Sequence, residues 1–214
     1  MILLTASKIP QGLDKDTLAE AVRLMFPNPE NREYIDEIQS RANRDSACES
    51  LFALAMLYDG IYELPSADID TASLVFARSK MGKPYFKASK IKFNVSHSKG
   101  YVAVALSLGE ELGVDIEASE IPPERARRLA ERYFSRDEIK IVEGSPKKFA
   151  QMWTEKEAKA KFLGESIGNI LSINKKLANP EEFCDISLHR FKIEETPISL
   201  CTKRHFSTIK FTIQ

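Results

Sequence analysis

The spacing of apolar residues changes several times along the chain, and each change predicts a different element. Ile2 to Ala6 (ILLTA) is a largely apolar run of strand length and predicts a first strand. DKDTLAEAVRLMF then places Leu18, Val22 and Phe26 on one face of a helix, which Pro27 and Pro29 close. The mixed stretch from Glu30 to Tyr62 reads as one broken helix or two, with LFALAML as its most buried part. SLVFA, Ser73 to Ala77, predicts a strand, and SKMGKPYF a loop. Next come KFNV, YVAVALS and VDIE, three strand-length runs separated by the polar loop SHSKG and the turn LGEELG. Short connections of this kind predict a three-stranded antiparallel meander. PPERARRLAERYF is a helix opened by prolines, and Ser135 with Glu138 makes a capping box for another. Ser145 and Pro146 start a third helix, which Gly164 ends. Between Ile170 and Gln214 the runs ILSI, DISLHRFKI, PISLCTK and FSTIKFTI predict a second sheet. Both halves run from helices into β-rich stretches, so the expected class is α+β, an internally duplicated chain divided into residues 1–105 and 106–214.

Charge and composition narrow the function classes. Lys plus Arg and Asp plus Glu number 31 each, a balance that offers no electrostatic footprint for nucleic acid or an anionic membrane. No run approaches the roughly 20 apolar residues of a membrane span, and MILLTASKIPQG has no basic leader region. Cys48, Cys184 and Cys201 have no CxxC spacing and cannot all pair, which fits a reducing compartment. A cytoplasmic protein is expected.

Two stretches carry candidate chemistry. In WTEKEAKAK, Trp153, Glu157 and Lys161 are each four residues apart, and Phe149 extends the stripe backwards. A helix that buries Phe149 and Trp153 turns Glu157 and Lys161 toward the edge of the same packed region. Glu157 and Lys161 are also in the favourable order for a plain intrahelical ion pair, worth roughly 0.2–0.5 kcal/mol. In GVDIE, the strand period of two puts Val114 and Ile116 on one face and Asp115 and Glu117 on the other. Side-by-side carboxylates call for water, a shared proton or a cation. A third acid from Glu157 would complete a hard oxygen site suited to magnesium. In SHSKG, Ser96, His97, Ser98, Lys99 and Gly100 form a donor-rich turn, suited to a phosphate and equally ordinary in a surface hairpin.

The order GKPY, FNVSHS, GVDIE, FS with an acidic residue after it, and FAQMWTEKEAKAK resembles the 4′-phosphopantetheinyl transferases of the surfactin-synthetase-activating type, clearly over Gly82 to Lys161. The resemblance implies a pseudo-duplicated α+β monomer, each half a small antiparallel sheet packed with helices. It implies transfer of the phosphopantetheine arm of coenzyme A to a serine of an apo acyl or peptidyl carrier protein, with release of adenosine 3′,5′-bisphosphate. Asp115, Glu117 and Glu157 match the family's magnesium positions, which manganese can also fill. Ser96, His97 and Lys83 match its coenzyme A phosphate contacts, and Lys161 the lysine that steadies the pyrophosphate. Arg44 matches the basic residue that meets the nucleotide phosphate, with Arg41 as the other choice; Lys156 has no assigned role. Glu157 is the expected base. The first half then forms the nucleotide end of the site and the second half carries the metal and catalytic motifs. More than half the chain precedes Asp115, so one chain is expected to supply both halves, unlike a small trimeric synthase. A silent homologue would be expected to have lost a carboxylate or the lysine, and a phosphodiesterase acting on nucleic acid would need a basic aromatic stripe.

Overall fold

The computed structural model describes residues 1–65, 69–166, 168, 185–203 and 208–214. Strand β1 (Ile2–Lys8) lies in the middle of a sheet whose other members are β4 (Ile91–Ser98), β5 (Tyr101–Leu108) and β9 (Ile209–Ile213), in the order β4-β5-β1-β9. The β4–β5 and β5–β1 pairs are antiparallel and β1–β9 is parallel. Both faces of this sheet are covered, which is why β1 is buried at every position from Ile2 to Ser7 instead of alternating. Leu3, Val102, Val104 and Leu106 point to a core shared with α1 (Lys15–Met25), α2 (Asn31–Gln39) and α3 (Arg44–Tyr62). Ile2, Leu4, Ala6, Ala103 and Ala105 point the other way, onto a second sheet.

That second sheet is β6 (Leu112–Ile116), β8 (Thr196–Lys203) and β7 (Ile186–Ile193), antiparallel in the order β6-β8-β7. Its outer face carries α6 (Pro146–Leu163), beside α4 (Pro123–Tyr133) and α5 (Arg136–Val142), which share a smaller core with Phe134 and Phe149. A two-stranded ribbon, β2 (Phe76–Arg78) with β3 (Pro84–Phe86), completes the first half. Among the described residues, then, the fold is α+β, with small and largely antiparallel sheets packed by helices, and no helix is long and apolar enough to cross a membrane. Cys48 and Cys201 are free and buried, and burial pushes the Cys201 thiol up to about 12.

Several expectations hold in detail. Leu18, Val22 and Phe26 are buried on one face, the stretch 30–62 is two helices, the Ser135–Glu138 capping box forms, and Gly164 ends α6 in the left-handed region at φ 69°. Others are corrected. The three-stranded meander does not form, because β6 leaves β4 and β5 to pair with β8, burying Val114 and Ile116 between the sheets. FSTIKFTI does not join the second sheet; β9 pairs with β1 in the first. The strand foreseen at Ser73–Ala77 is displaced: Thr71–Ser73 is a 3-10 turn and β2 begins at Phe76. ILSI lies outside the described residues.

Candidate active site

The loop expected at SHSKG is mostly strand. Ser96, His97 and Ser98 belong to β4, and the turn is only Lys99 and Gly100, at φ 45° and 81°, as a tight two-residue hairpin turn requires. The strand period therefore decides where the donors go. Phe93 joins the core under α3, and His97 reaches Glu49 and Ser50 of that helix. Asn94, Ser96 and Ser98 reach β6. Val114 N–H donates to Asn94 Oδ1 (2.8 Å), Ile116 N–H to Ser96 Oγ (3.4 Å) and Ala118 N–H to Ser98 Oγ (3.1 Å). Side chains of one edge strand thus satisfy the backbone donors of another, which joins the two sheets without a ladder.

On the far side of β6, α6 comes unusually close. A Cβ at Gly113 would lie 2.1 Å from the Ala158 carbonyl oxygen and 2.4 Å from the Phe162 nitrogen, so only glycine admits the helix here. This contact brings Lys161 over β6. Its ammonium donates to Asp115 Oδ1 (2.7 Å) and Ser96 Oγ (2.9 Å), and the Ser96 hydroxyl donates to Asp115 Oδ1 (2.8 Å). Lys161 pairs with the strand acid, and the intrahelical pair with Glu157 is not formed. Burial pushes the Asp115 carboxyl up against the pull of Lys161 and Ser96. Glu157 is half-buried, and its carboxyl is also raised, by burial first and then by the charge of Asp115, with Lys161 opposing and Glu117 adding. Glu117 accepts through Oε1 from the Ser98 hydroxyl (2.9 Å) and the Ser119 N–H (2.7 Å).

The donor set fits a divalent cation by charge and hardness: three carboxylates lie close enough to act on one another, and one ammonium, Lys161, acts on Asp115 and Glu157, both of which are raised. It is not a preassembled cage. Among the described residues, no three acidic, histidine or cysteine side chains stand close enough to hold a metal as they are.

The predicted phosphate contacts divide. Ser96, His97 and Lys161 line one cleft of about 230 Å³ together with Arg41, Arg78 and Ser50. Arg78 stacks its guanidinium 4.5 Å from the Tyr34 ring, and its Nε is buried with no hydrogen-bond partner. Arg44 is instead in a neighbouring cleft of about 760 Å³ with Lys99, Asn43 and Glu49, its side chain 64% exposed and 3.4 Å from Asp14. Lys83 is away from both: its ammonium donates to the carbonyl of Leu112 (3.0 Å), the first residue of β6, and to Glu111 (3.3 Å) just before it, and burial pushes its pKa down. Lys156 is structural. It is buried against Glu138 of the capping box (2.7 Å), 5.1 Å from the Phe134 ring centroid. Sequence spacing missed Asn94, Glu49 and Arg78, because period and turn composition do not reveal which element crosses which. The segment from Leu163, the last residue of α6, to Asn169 lies partly outside the described residues.

Residues 111–212 match the family model of the 4′-phosphopantetheinyl transferase superfamily. The chain is 32% identical to the 4′-phosphopantetheinyl transferase AcpT of Salmonella typhi over 140 residues, which is 63% of this chain and 70% of that one. It is 34% identical over 107 residues to a putative 4′-phosphopantetheinyl transferase of Synechocystis sp., 46% of this chain and 43% of the relative. With the 4′-phosphopantetheinyl transferase HetI of Nostoc sp. it shares 29% identity over 122 residues, 53% and 51% of the two chains.

Proposed function

We propose, for a chain that belongs to the 4′-phosphopantetheinyl transferase superfamily, that the cleft under Lys161 holds the pyrophosphate of coenzyme A while the phosphopantetheine arm passes to a serine of an apo carrier protein. Transfer of that arm from coenzyme A to a carrier is the activity of the superfamily. The serine oxygen attacks the phosphorus bearing the pantetheine arm, and the bond from that phosphorus to the bridging oxygen breaks. The leaving group is adenosine 3′,5′-bisphosphate, and the serine proton goes to a base.

Phosphoryl transfer depends on positive charge fixed where negative charge builds. Lys161 meets this need, because Asp115 and Ser96 already hold its ammonium in place. Arg41 and Arg78 line the same cleft and add charge there. Asp115, Glu117 and Glu157 would hold magnesium, or manganese in its place, and a bound divalent cation supplies charge to the phosphate oxygens. A carboxylate oxygen of Glu157, whose proton affinity burial and Asp115 raise, takes the serine proton. Ser96 and His97 meet the phosphates, and Arg44, with Lys99 in the larger cleft, meets the nucleotide end. Lys83 holds the turn before β6 and acts on the phosphates only if coenzyme A draws it from Glu111. The surfactin-synthetase-activating branch is the one that fits, since α3 and β4 of the first half meet β6 and α6 of the second within one chain. A cytoplasmic monomer is the expected form.

The observation that carries the reading is the Lys161 ammonium 2.7 Å from Asp115 and 2.9 Å from Ser96, which unites three separate motifs at one point. Incubation with coenzyme A, Mg²⁺ and a panel of apo carriers, read by intact mass, tests it. A phosphopantetheine gain on a carrier serine, lost with a chelator, is the expected result. No gain on any carrier, with coenzyme A still bound, would mark a silent homologue instead.

A further inference from the structure

Glu49 is in the second turn of α3 with its side chain 9% exposed, and no lysine or arginine neutralises it among the described residues. A carboxylate in that position must be hydrogen-bonded. Its two oxygens serve two donors: Oε2 lies 2.7 Å from His97 Nδ1, and Oε1 accepts from the Gly100 N–H at 2.5 Å. Burial works to raise the Glu49 carboxyl, but the His97 and Gly100 hydrogen bonds outweigh it and hold the group below the usual carboxylate range. An ionised carboxylate only accepts, so His97 Nδ1 carries the proton. That leaves Nε2 beside Ser50 Oγ (3.1 Å), which accepts from Arg41 Nη1 (2.8 Å). Among the described residues lining this cleft the charged groups are Arg41, Arg78 and Lys161, and Glu49 is the anion that touches the ring.

We propose that Glu49 is a positioning residue for the transfer: it fixes the His97 ring with Nδ1–H turned inward and Nε2 turned to the cleft, where Nε2 meets the phosphates of coenzyme A. This rests on the reading of the cleft as the pyrophosphate site. Glu49, His97 and Ser50 have the order of a hydrolase's acid, base and nucleophile. Ser50, however, is 9% exposed inside a helix and accepts from Arg41, so the outward-facing member of the set is His97. Without Glu49 the ring would face three cations with no anion to hold its orientation.

The chain has three histidines, so His97 can be followed directly by long-range ¹H–¹⁵N NMR of the full-length protein. His97 is expected to keep a proton on Nδ1 at every pH at which the protein is folded; a neutral Nε2–H tautomer overturns the proposal. Glu49→Gln leaves one acceptor oxygen for two donors. Its kcat should fall about 10–100-fold, the size typical of losing a group that orients a functional histidine, with KM for the apo carrier within about twofold. Glu49→Asp, which keeps both oxygens, should recover part of the loss. In a His97→Gln background, Glu49→Gln should lower kcat by less than about twofold, because the two residues act as one unit; a full second loss overturns the proposal. If Glu49→Gln does not fold, Glu49→Asp takes its place in the cycle. A wild-type protein that modifies no carrier sinks the parent reading and leaves the tautomer result to judge Glu49. Unchanged transfer by a folded Glu49→Gln sinks the role of Glu49 alone.

Discussion

Asp115, 6% exposed, has one ammonium and one hydroxyl within hydrogen-bond distance of its carboxyl, and a second carboxylate, Glu157, has neither at that distance. The raised Glu157 carboxyl has a consequence for stability. A carboxyl whose folded pKa lies above its unfolded value favours the folded state below the unfolded pKa, and loses that contribution as pH rises through the folded pKa. Wild-type protein without divalent ions should therefore lose stability relative to Glu157→Gln as pH climbs above the ordinary glutamate value of 4.5. Thermal melts of both proteins at pH 5 and pH 8 in a chelator should show Glu157→Gln melting higher at pH 8, with the gap closing at pH 5. The same variant should lose phosphopantetheine transfer by at least about 100-fold if Glu157 is the base and metal ligand proposed above. A wider gap at pH 5 than at pH 8 would mean that Glu157 is not held above its usual range. The shared direction of Asp115 and Glu117 was legible from the strand period. The partner of Lys161 was not: the i, i+4 spacing offers Glu157, and only the strand beneath the helix supplies Asp115.

The contact between α6 and β6 depends on one absent side chain. With Gly113 replaced, the new Cβ would overlap the Ala158 carbonyl and the Phe162 nitrogen, both backbone, so the helix must move as a body. Misplacement of about 1 Å can cost about 100-fold in rate. Gly113→Ala should lower kcat by about that factor or more, and should weaken the Lys161–Asp115 contact while leaving the first-half core intact. Near-normal transfer by this variant would show that α6 does not need its close seat. Lys156 anchors the same helix to α5. Lys156→Ala leaves Glu138 without its cation, and urea melts should show a loss of about 2–3 kcal/mol, below the ~3–5 kcal/mol of fully buried pairs because Glu138 keeps 29% exposure. The ends of α6 were legible from Ser145, Pro146 and Gly164, since caps are local chemistry. The burial of its stripe was legible only in part. Phe149 is fully buried and stacks on Phe134 at 5.2 Å, but Trp153 is half-buried, edge-on to Tyr133 at 6.1 Å. The stripe drifts around the helix, so the indole covers the rim of the small core instead of filling it.

Across the whole molecule, the site exists because two edge strands from different sheets lie side by side. Each strand of the failed meander was visible as a run of apolar residues, but the choice of partner was not, because main-chain pairing is set by what else competes for an edge. For β6 the winner is β8 on one side, and on the other the side chains of β4 stand in for a partner strand. Asn94 is the deepest link of that seam, 2% exposed, with Ser96 of the site only two residues along. Asn94→Ala strands the N–H of Val114, a fully buried residue of the apolar cluster that also holds Ile2, Leu4 and Leu200. An unsatisfied buried donor costs about 1–3 kcal/mol, so a loss of that order in denaturant melts is expected. The loss should be spatially resolved as well. Hydrogen exchange of the Val114 amide should accelerate well beyond the change in global stability, because its partner is gone in the native state, while Val104 and Leu106 in β5 should follow the global change only. Equal acceleration at all three would mean that the sheets are held by their apolar faces alone and that the polar seam beneath the candidate site contributes nothing of its own.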